Sequence, residues 1–204
     1  MNTLAFDTAS PRVAAAIVRA DGERVERGIV TDGPRHVEEL IPLIEELLTE
    51  MSVVGAEIDR VVVGVGPGQF NGLRVGVTTA NMLARVWQCE LVGVSTLEAL
   101  AWQYRTAADE VVSLLDARRS AAYFSRYAAQ PWSQQRPECM FDIDEIAAAS
   151  AGAFVVATPS ISSVLDVPVC IDWPSPLAMI DLALGQDATK QVAAVYVRPA
   201  EESI

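Results

Sequence analysis

The order of apolar segments predicts an α/β protein with mixed sheets, made of a larger first part and a smaller second part. Three short strand-like segments come first, helical and strand-like segments then alternate, and a smaller set of similar segments follows. Alternation of this kind is typical of a sheet covered by helices. We expect the division between the two parts near residues 100–110.

The first three strands are short apolar runs that stop at polar residues or turn signals. The runs span residues 3–6, 13–18 and 25–30. Asp7 follows the first run, and Asp21-Gly22 separates the second from the third. Short connections of this kind predict an antiparallel meander.

Two amphipathic helices are predicted after the meander. Apolar residues from Val37 to Met51 recur at helical spacing, although Pro42 lies among them. A second run of small and apolar residues spans 75–86. The other elements expected in this part are strands at 58–65 and 91–94 and a helix at 96–106.

The second part repeats these features with weaker signals. Strands are predicted at 111–115, 121–128, 153–157, 167–171 and 195–197, and helices at 142–150 and 175–184. Residues 130–137 hold two prolines and several glutamines, which predicts a loop.

Composition narrows the functional classes. The chain has 204 residues, of which 51% are hydrophobic and 21% charged, and this is ordinary for a folded globular protein. The net charge of −12 leaves little surface for neutralising nucleic-acid phosphates. If the protein serves RNA chemistry, we expect another molecule to hold the RNA.

The chain offers few metal ligands. His36 is the single histidine, and the three cysteines (Cys89, Cys139 and Cys170) form no CxxC pair. We therefore expect no metal site and no cofactor. No signal peptide and no membrane-spanning segment are predicted, so a cytoplasmic location is expected.

A glycine-rich segment between a predicted strand and a predicted helix is the strongest local signal. Residues 64–76 contain five glycines. Glycines before a helix can let a phosphate approach backbone N–H groups. The segment lacks the Lys-Ser/Thr of a P-loop, and a tight connection between closely packed elements is the simpler interpretation.

Other polar candidates are isolated in the sequence. Asp7 and Thr8 end the first strand, where a carboxylate can hold a metal-bound phosphate or can simply form a turn. His36 lies at the start of a predicted helix, where it could act as a base or contact another molecule. Residues 116–119 (Asp-Ala-Arg-Arg) end another strand, where a loop salt bridge is the simpler interpretation. No G-x-S-x-G nucleophile motif is present.

Together these segments resemble the bacterial TsaB (YeaZ) family. The matching segments are residues 4–9, 36–42, 64–76, 93–100, 116–119 with Tyr123, and 196–199. They fall in order along nearly the whole chain and are most specific in its first half.

The resemblance implies an actin-like (ASKHA, ribonuclease H-like) fold with two related lobes, at residues 1–105 and 106–204, the second of them reduced. It implies a non-catalytic, activating role in forming N6-threonylcarbamoyladenosine at the adenosine 3′ of the anticodon in tRNA. The implied partners are the catalytic paralogue TsaD, in a heterodimer, and the ATPase TsaE in a larger complex. tRNA would be held only indirectly, and the isolated chain could form a homodimer.

The resemblance also implies a partner surface on the two amphipathic helices of the first lobe. We expect one side of each helix to face the partner, while Ile41, Ile44 and Leu48 face the sheet. The expected partner-binding residues are His36, Leu40, Leu43, Leu47, Gly72, Arg74, Gly76, Val77 and Ala80. Internal packing of these residues is the alternative.

A nucleotide site at Asp7, Thr8, Gly66 and Gly68 would be degenerate. Active members of the fold carry glycine in the turn after the first strand, and residues 7–11 contain none. The paralogue's H-x-x-x-H metal motif is impossible with one histidine. A stand-alone actin-fold ATPase or small-molecule kinase remains the rival hypothesis, and a peptidase is a weaker one.

Overall fold

The computed structural model describes residues 1–31 and 35–197, so the last two residues of the 196–199 segment lie outside the described residues. It forms two compact units, one made of Met1–Thr96 with Ser175–Val195, the other containing Leu97–Pro174. These units differ from the two lobes expected at residues 1–105 and 106–204, because the segment from Ser175 returns to pack on the first unit.

The first unit is built around a five-stranded mixed sheet. Its elements are β1 (Thr3–Asp7), β2 (Arg12–Val18), β3 (Arg24–Val30), α1 (His36–Glu50), β4 (Arg60–Gly66), α2 (Phe70–Trp87), β5 (Glu90–Ser95) and α6 (Pro176–Ala183). The strand order is β3-β2-β1-β4-β5. The first three strands form the expected antiparallel meander, and β1, β4 and β5 run parallel.

Helices cover both faces of this sheet. Leu40 and Leu47 of α1 and Val77 of α2 pack in one cluster with Leu4 and Phe6 of β1. Helix α6 packs on the other face, against β1, β2 and β4. Because α1 and α2 lie side by side on one face, each has a side that faces away from the sheet.

The second unit repeats the strand order of the first. Its elements are α3 (Thr96–Trp102), which starts at the last residue of the first unit, β6 (Glu110–Arg118), β7 (Ala121–Ala129), β8 (Trp132–Asp142), α4 (Ile146–Ala149), β9 (Phe154–Ala157), α5 (Pro159–Ser162) and β10 (Cys170–Ile171). The sheet has the order β10-β9-β6-β7-β8. Strand β6 pairs antiparallel with β7 and parallel with β9, as β1 does with β2 and β4.

The loop predicted at 130–137 is wrong, since most of it belongs to β8. This strand lies at the edge of the sheet, where a proline such as Pro137 is tolerated because one side of the backbone needs no ladder partner. Gln134 and Gln135 fit this strand because this part of it is largely exposed to solvent.

Several element boundaries also differ from the prediction. Helix α2 begins at Phe70, five residues before the expected start. The strand expected at 167–171 is limited to Cys170–Ile171. Residues 195–197 form no strand, although the Val195 N–H donates to the Val65 carbonyl at 2.7 Å.

Candidate functional site

The carboxyl end of β1 holds a buried aspartate. Asp7 is 1% exposed. Its Oδ1 accepts a hydrogen bond from the Ala9 N–H at 2.9 Å, and its Oδ2 accepts one from the Thr96 hydroxyl at 2.8 Å. Burial raises the pKa of Asp7 from 3.8 to about 6, against the smaller opposing effects of these two hydrogen bonds and of Arg12 and His36.

The turn after β1 packs directly against the start of α2. The Thr8 hydroxyl donates to the Gly72 carbonyl at 2.7 Å, and the Gln69 N–H donates to the Ala9 carbonyl at 2.7 Å. A Cβ at Gly72 would collide with the carbonyl oxygen of Thr8. Glycine is therefore required at position 72 by the close approach of two backbones.

The residues predicted for a degenerate nucleotide site meet here. Asp7 and Thr8 end β1, Gly66 ends β4 with a left-handed φ of +104°, and Gly68 lies against the Ala9 carbonyl. The atoms that fill the gap between the turn and α2 are carbonyl oxygens of the chain itself. Since carbonyl oxygens repel phosphate and occupy the space, this geometry favours a packed structural joint over a phosphate site.

His36 is part of the interior. It is 4% exposed, and its Nε2 lies 3.0 Å from the Ser10 carbonyl oxygen. His36 thereby attaches the start of α1 to the turn after β1. Neither a base nor a surface contact fits this position.

Most of the predicted partner surface is buried in the structure. Eight of its nine residues are buried within the first unit, namely His36, Leu40, Leu43, Leu47, Gly72, Gly76, Val77 and Ala80. Arg74 is the exposed member. The helices use the predicted side to cover the sheet, so the internal-packing alternative holds for these eight residues.

The outer sides of α1 and α2 form an apolar groove of about 320 Å³. Its lining residues are Val37, Leu40, Ile41, Arg74, Val75, Thr78 and Thr79. Val37 is 61% exposed, and Phe70, which starts α2, is 54% exposed. The Arg74 guanidinium lies 5.3 Å from the centroid of the Phe70 ring, so the groove has one cation in a mostly apolar surface.

The sequence contained a signal for this groove. Val37, Ile41 and Leu48 form a second apolar stripe along α1, beside the one that packs on the sheet. Ile41 and Leu48 are half-buried, whereas Ile44 is buried as expected. The apolar arc of α1 is therefore wide enough to cover the sheet and to line the groove as well.

Other kinds of site receive no support from the described residues. Within residues 1–31 and 35–197, no group of three or more His, Cys, Asp or Glu side chains is placed to hold a metal ion. In the same ranges, no helix has the length and apolar character needed to cross a membrane.

Comparison with known proteins agrees with the fold. YeaZ from Pseudomonas aeruginosa superposes with a TM-score of 0.82 at 23% identity, covering 96% of this chain and 99% of that chain. A protein from Pseudomonas aeruginosa described as similar to peptidase YEAZ gives a TM-score of 0.82 at 24% identity, with coverages of 97% and 99%. The two sheets and these superpositions define an actin-like α/β protein with two lobes, as predicted.

Sequence comparison is more specific. A family model described as TsaD, tRNA N6-adenosine threonylcarbamoyltransferase, matches residues 31–149, more than half of the chain. The chain belongs to the family that this model describes, and three curated relatives named TsaB are 30–32% identical to it. The resemblance seen in the sequence is therefore confirmed.

Two curated relatives illustrate the similarity. An uncharacterized protein of Mycobacterium tuberculosis is 40% identical over 129 residues, which are 61% of this chain and 58% of that protein. The Escherichia coli protein named tRNA threonylcarbamoyladenosine biosynthesis protein TsaB is 30% identical over 135 residues, 62% of this chain and 55% of that protein. The chain thus spans little more than half the length of these relatives.

Proposed function

We propose that this chain is a non-catalytic, activating subunit in the formation of N6-threonylcarbamoyladenosine at the adenosine 3′ of the anticodon in tRNA. It would act in the cytoplasm through a heterodimer with a TsaD-type paralogue that carries the transferase site. Relatives named as tRNA threonylcarbamoyladenosine biosynthesis proteins support the pathway. An ATPase of the TsaE type would join the pair, and the partners would hold most of the tRNA.

The observation that carries this proposal is the exposed groove between α1 and α2. Val37 and Phe70 are large apolar side chains that remain more than half exposed on adjacent helices of one unit. Contiguous exposed apolar patches mark sites where proteins interact. A pair of helices on the paralogue is a suitable occupant, because ridges of two helices can fill a groove between two others.

The sealed end of β1 supports the absence of catalysis by this chain alone. An actin-fold ATPase or kinase needs space for phosphates beside the first strand, and here that space holds the carbonyl oxygens of Thr8 and Ala9. The rival hypothesis of a stand-alone ATPase or kinase therefore has less support than the partner hypothesis.

Without its partner the chain has an uncovered groove, so we expect weak self-association at high concentration. A second copy could cover the groove symmetrically, as in many homodimers. The paralogue should displace that copy, because both would use the same side of α1 and α2.

Reconstitution tests the proposal. The chain and the TsaD-type paralogue of the same organism are purified separately and together, and modified adenosine in unmodified tRNA is measured after adding threonylcarbamoyl-AMP. We expect co-purification, and modification only when both proteins are present. Modification by this chain alone, or an equal rate from the paralogue alone, would contradict the proposal.

A further inference from the structure

The hairpin that joins β6 to β7 is the counterpart, in the second unit, of the turn that joins β1 to β2. Both connect the central strand of a five-stranded sheet to its antiparallel neighbour. In both, an aspartate near the end of the strand accepts a hydrogen bond from the backbone N–H two residues later. Asp7 Oδ1 accepts from Ala9 at 2.9 Å, and Asp116 Oδ1 accepts from Arg118 at 2.7 Å.

The surroundings of the two turns differ. The first turn is buried under Thr96, His36 and the start of α2. In the second, Arg118, Arg119 and Ser120 are all exposed. The same aspartate-stabilised turn is thus buried in the first unit and exposed to solvent in the second.

The backbone at the tip of this second hairpin has an energetically unfavourable conformation. Arg118, Arg119 and Ser120 have φ values of 64°, 52° and 62°, in the left-handed region. Hairpin turns with two left-handed central residues favour Asn-Gly, and a bulge beside them favours glycine. None of the three positions holds glycine or asparagine, so two arginines and a serine are present despite the local preference of the backbone.

Strained positions that lack the favoured residue cluster at binding sites. The turn places the two arginines at adjacent positions on an exposed tip. Residues with favoured turn geometry would supply the same hairpin at lower cost. A binding role for the side chains of Arg118 and Arg119 would account for this cost.

These arginines also lack carboxylate partners within residues 1–31 and 35–197. By contrast, Arg60 is paired with Glu90 and Arg126 with Glu110. Asp116 lies two residues before Arg118, and Asp142 lies opposite Ala121, so the two guanidinium groups attract an anion against the charge of these carboxylates.

We propose that the tip of the β6–β7 hairpin, Arg118–Arg119–Ser120, is a contact site for backbone phosphates of RNA. A guanidinium fork matches the geometry of a phosphate, and two adjacent forks suit one or two phosphates of a strand. The choice of RNA rests on the proposed function in tRNA modification. The site would add a position-fixing contact, with the partner still supplying most of the affinity.

Fluorescence anisotropy with a labelled anticodon stem-loop RNA tests this site. The full chain is titrated at several salt concentrations, alone and with the TsaD-type paralogue. We expect Arg118→Gln with Arg119→Gln to weaken RNA binding about tenfold at low salt and to reduce the slope of log K against log salt by about 1 to 2. The matched control, Arg19→Gln with Arg24→Gln, removes equal charge from the first unit and should change the affinity less than twofold.

A second variant separates binding from folding. Arg119→Asn with Ser120→Gly supplies the preferred turn residues, so the melting temperature should rise while RNA affinity falls severalfold. RNA affinity equal to that of the unaltered chain in both hairpin variants would overturn the proposal. So would an effect on ATP binding, measured by calorimetry, without any effect on RNA binding.

The proposed function is checked on the same samples. The Arg118→Gln, Arg119→Gln variant should form the complex with the paralogue as the unaltered chain does, since its changes are in the second unit. If the hairpin variants form the complex and bind RNA as tightly as the unaltered chain, only the phosphate site is rejected. If neither the unaltered chain nor any variant forms a complex with the paralogue, the proposed function is rejected.

Discussion

Thr8 and Gly72 hold the first strand against the second helix through two contacts. The Thr8 hydroxyl donates to the Gly72 carbonyl at 2.7 Å, and the Thr8 carbonyl oxygen fills the place that a Cβ on residue 72 would take. Through these contacts the end of β1 and the start of α2 form a closed joint. The joint sets the position of α2, which forms one side of the groove.

Gly72→Ala should destabilise the protein by about 2 kcal/mol or more, because the added methyl group meets backbone that cannot move freely. An ordinary glycine-to-alanine change inside a helix would instead stabilise it by about 1 kcal/mol. Gly185→Ala, where the added methyl group meets nothing within 4 Å, is the control and should be nearly neutral. Urea denaturation measures both, and a Gly72→Ala variant as stable as the unaltered protein would show that the joint is loose.

Stability should fall as the pH rises from about 4 to about 6. Asp7 has a pKa near 6 when folded against 3.8 when unfolded, so in this window the native state binds more protons than the unfolded chain. A negative slope of stability with pH follows, with a total of about 3 kcal/mol from this group. Thermal unfolding across this pH range measures it.

Asp7→Asn should remove that slope and should make the protein more stable than the unaltered chain above pH 6. An asparagine can still accept from Ala9 and donate to the Thr96 hydroxyl, while it carries no buried charge. Asp187→Asn, at an exposed position, should keep the slope. If Asp7→Asn retains the full pH dependence, Asp7 is not its source.

The isolated chain should show no saturable binding of ATP with magnesium at micromolar concentrations. The Gln69 N–H at the start of α2 already donates to the Ala9 carbonyl, and the adjacent carbonyl oxygens would repel a phosphate. Isothermal titration calorimetry gives the answer. A micromolar dissociation constant would instead favour the ATPase or kinase hypothesis.

Leu47→Asp should unfold the first unit. Leu47 is fully buried in the cluster between α1 and the sheet, and an unpaired buried charge costs several kcal/mol. Glu46→Asp, on the exposed side of the same turn, is a mild control. Circular dichroism distinguishes them, and a folded Leu47→Asp variant that fails to bind the paralogue would restore the original assignment of the partner surface.

Local patterns predicted much of this fold and less of its site. The meander and the helix from His36 follow from short-range periodicity, which the sequence displays directly. Strand β8 was missed because edge strands accept prolines and polar residues that otherwise indicate loops. The early start of α2 was missed because Gly72 is a poor helix former, and it is required there by the approach of Thr8, which lies 64 residues away along the chain.

The two sides of α1 could not be assigned from periodicity alone. Both Leu40 and Ile41 fall within one wide apolar arc, and the twist and position of the sheet decide which is covered. The raised pKa of Asp7 likewise depends on burial by distant segments. Tertiary contacts, which leave no local pattern, account for these differences.

The affinity of the chain for the TsaD-type paralogue tests the central claim most directly. Val37→Glu and Thr78→Glu place a charge at exposed positions of the groove between α1 and α2, and Val164→Glu places the same charge on a valine of the second unit that is 54% exposed. The account predicts at least a tenfold loss of affinity by calorimetry for both groove variants, an unchanged melting temperature, and less than a twofold change for Val164→Glu. Folded groove variants that bind the paralogue as tightly as the unaltered chain would contradict it.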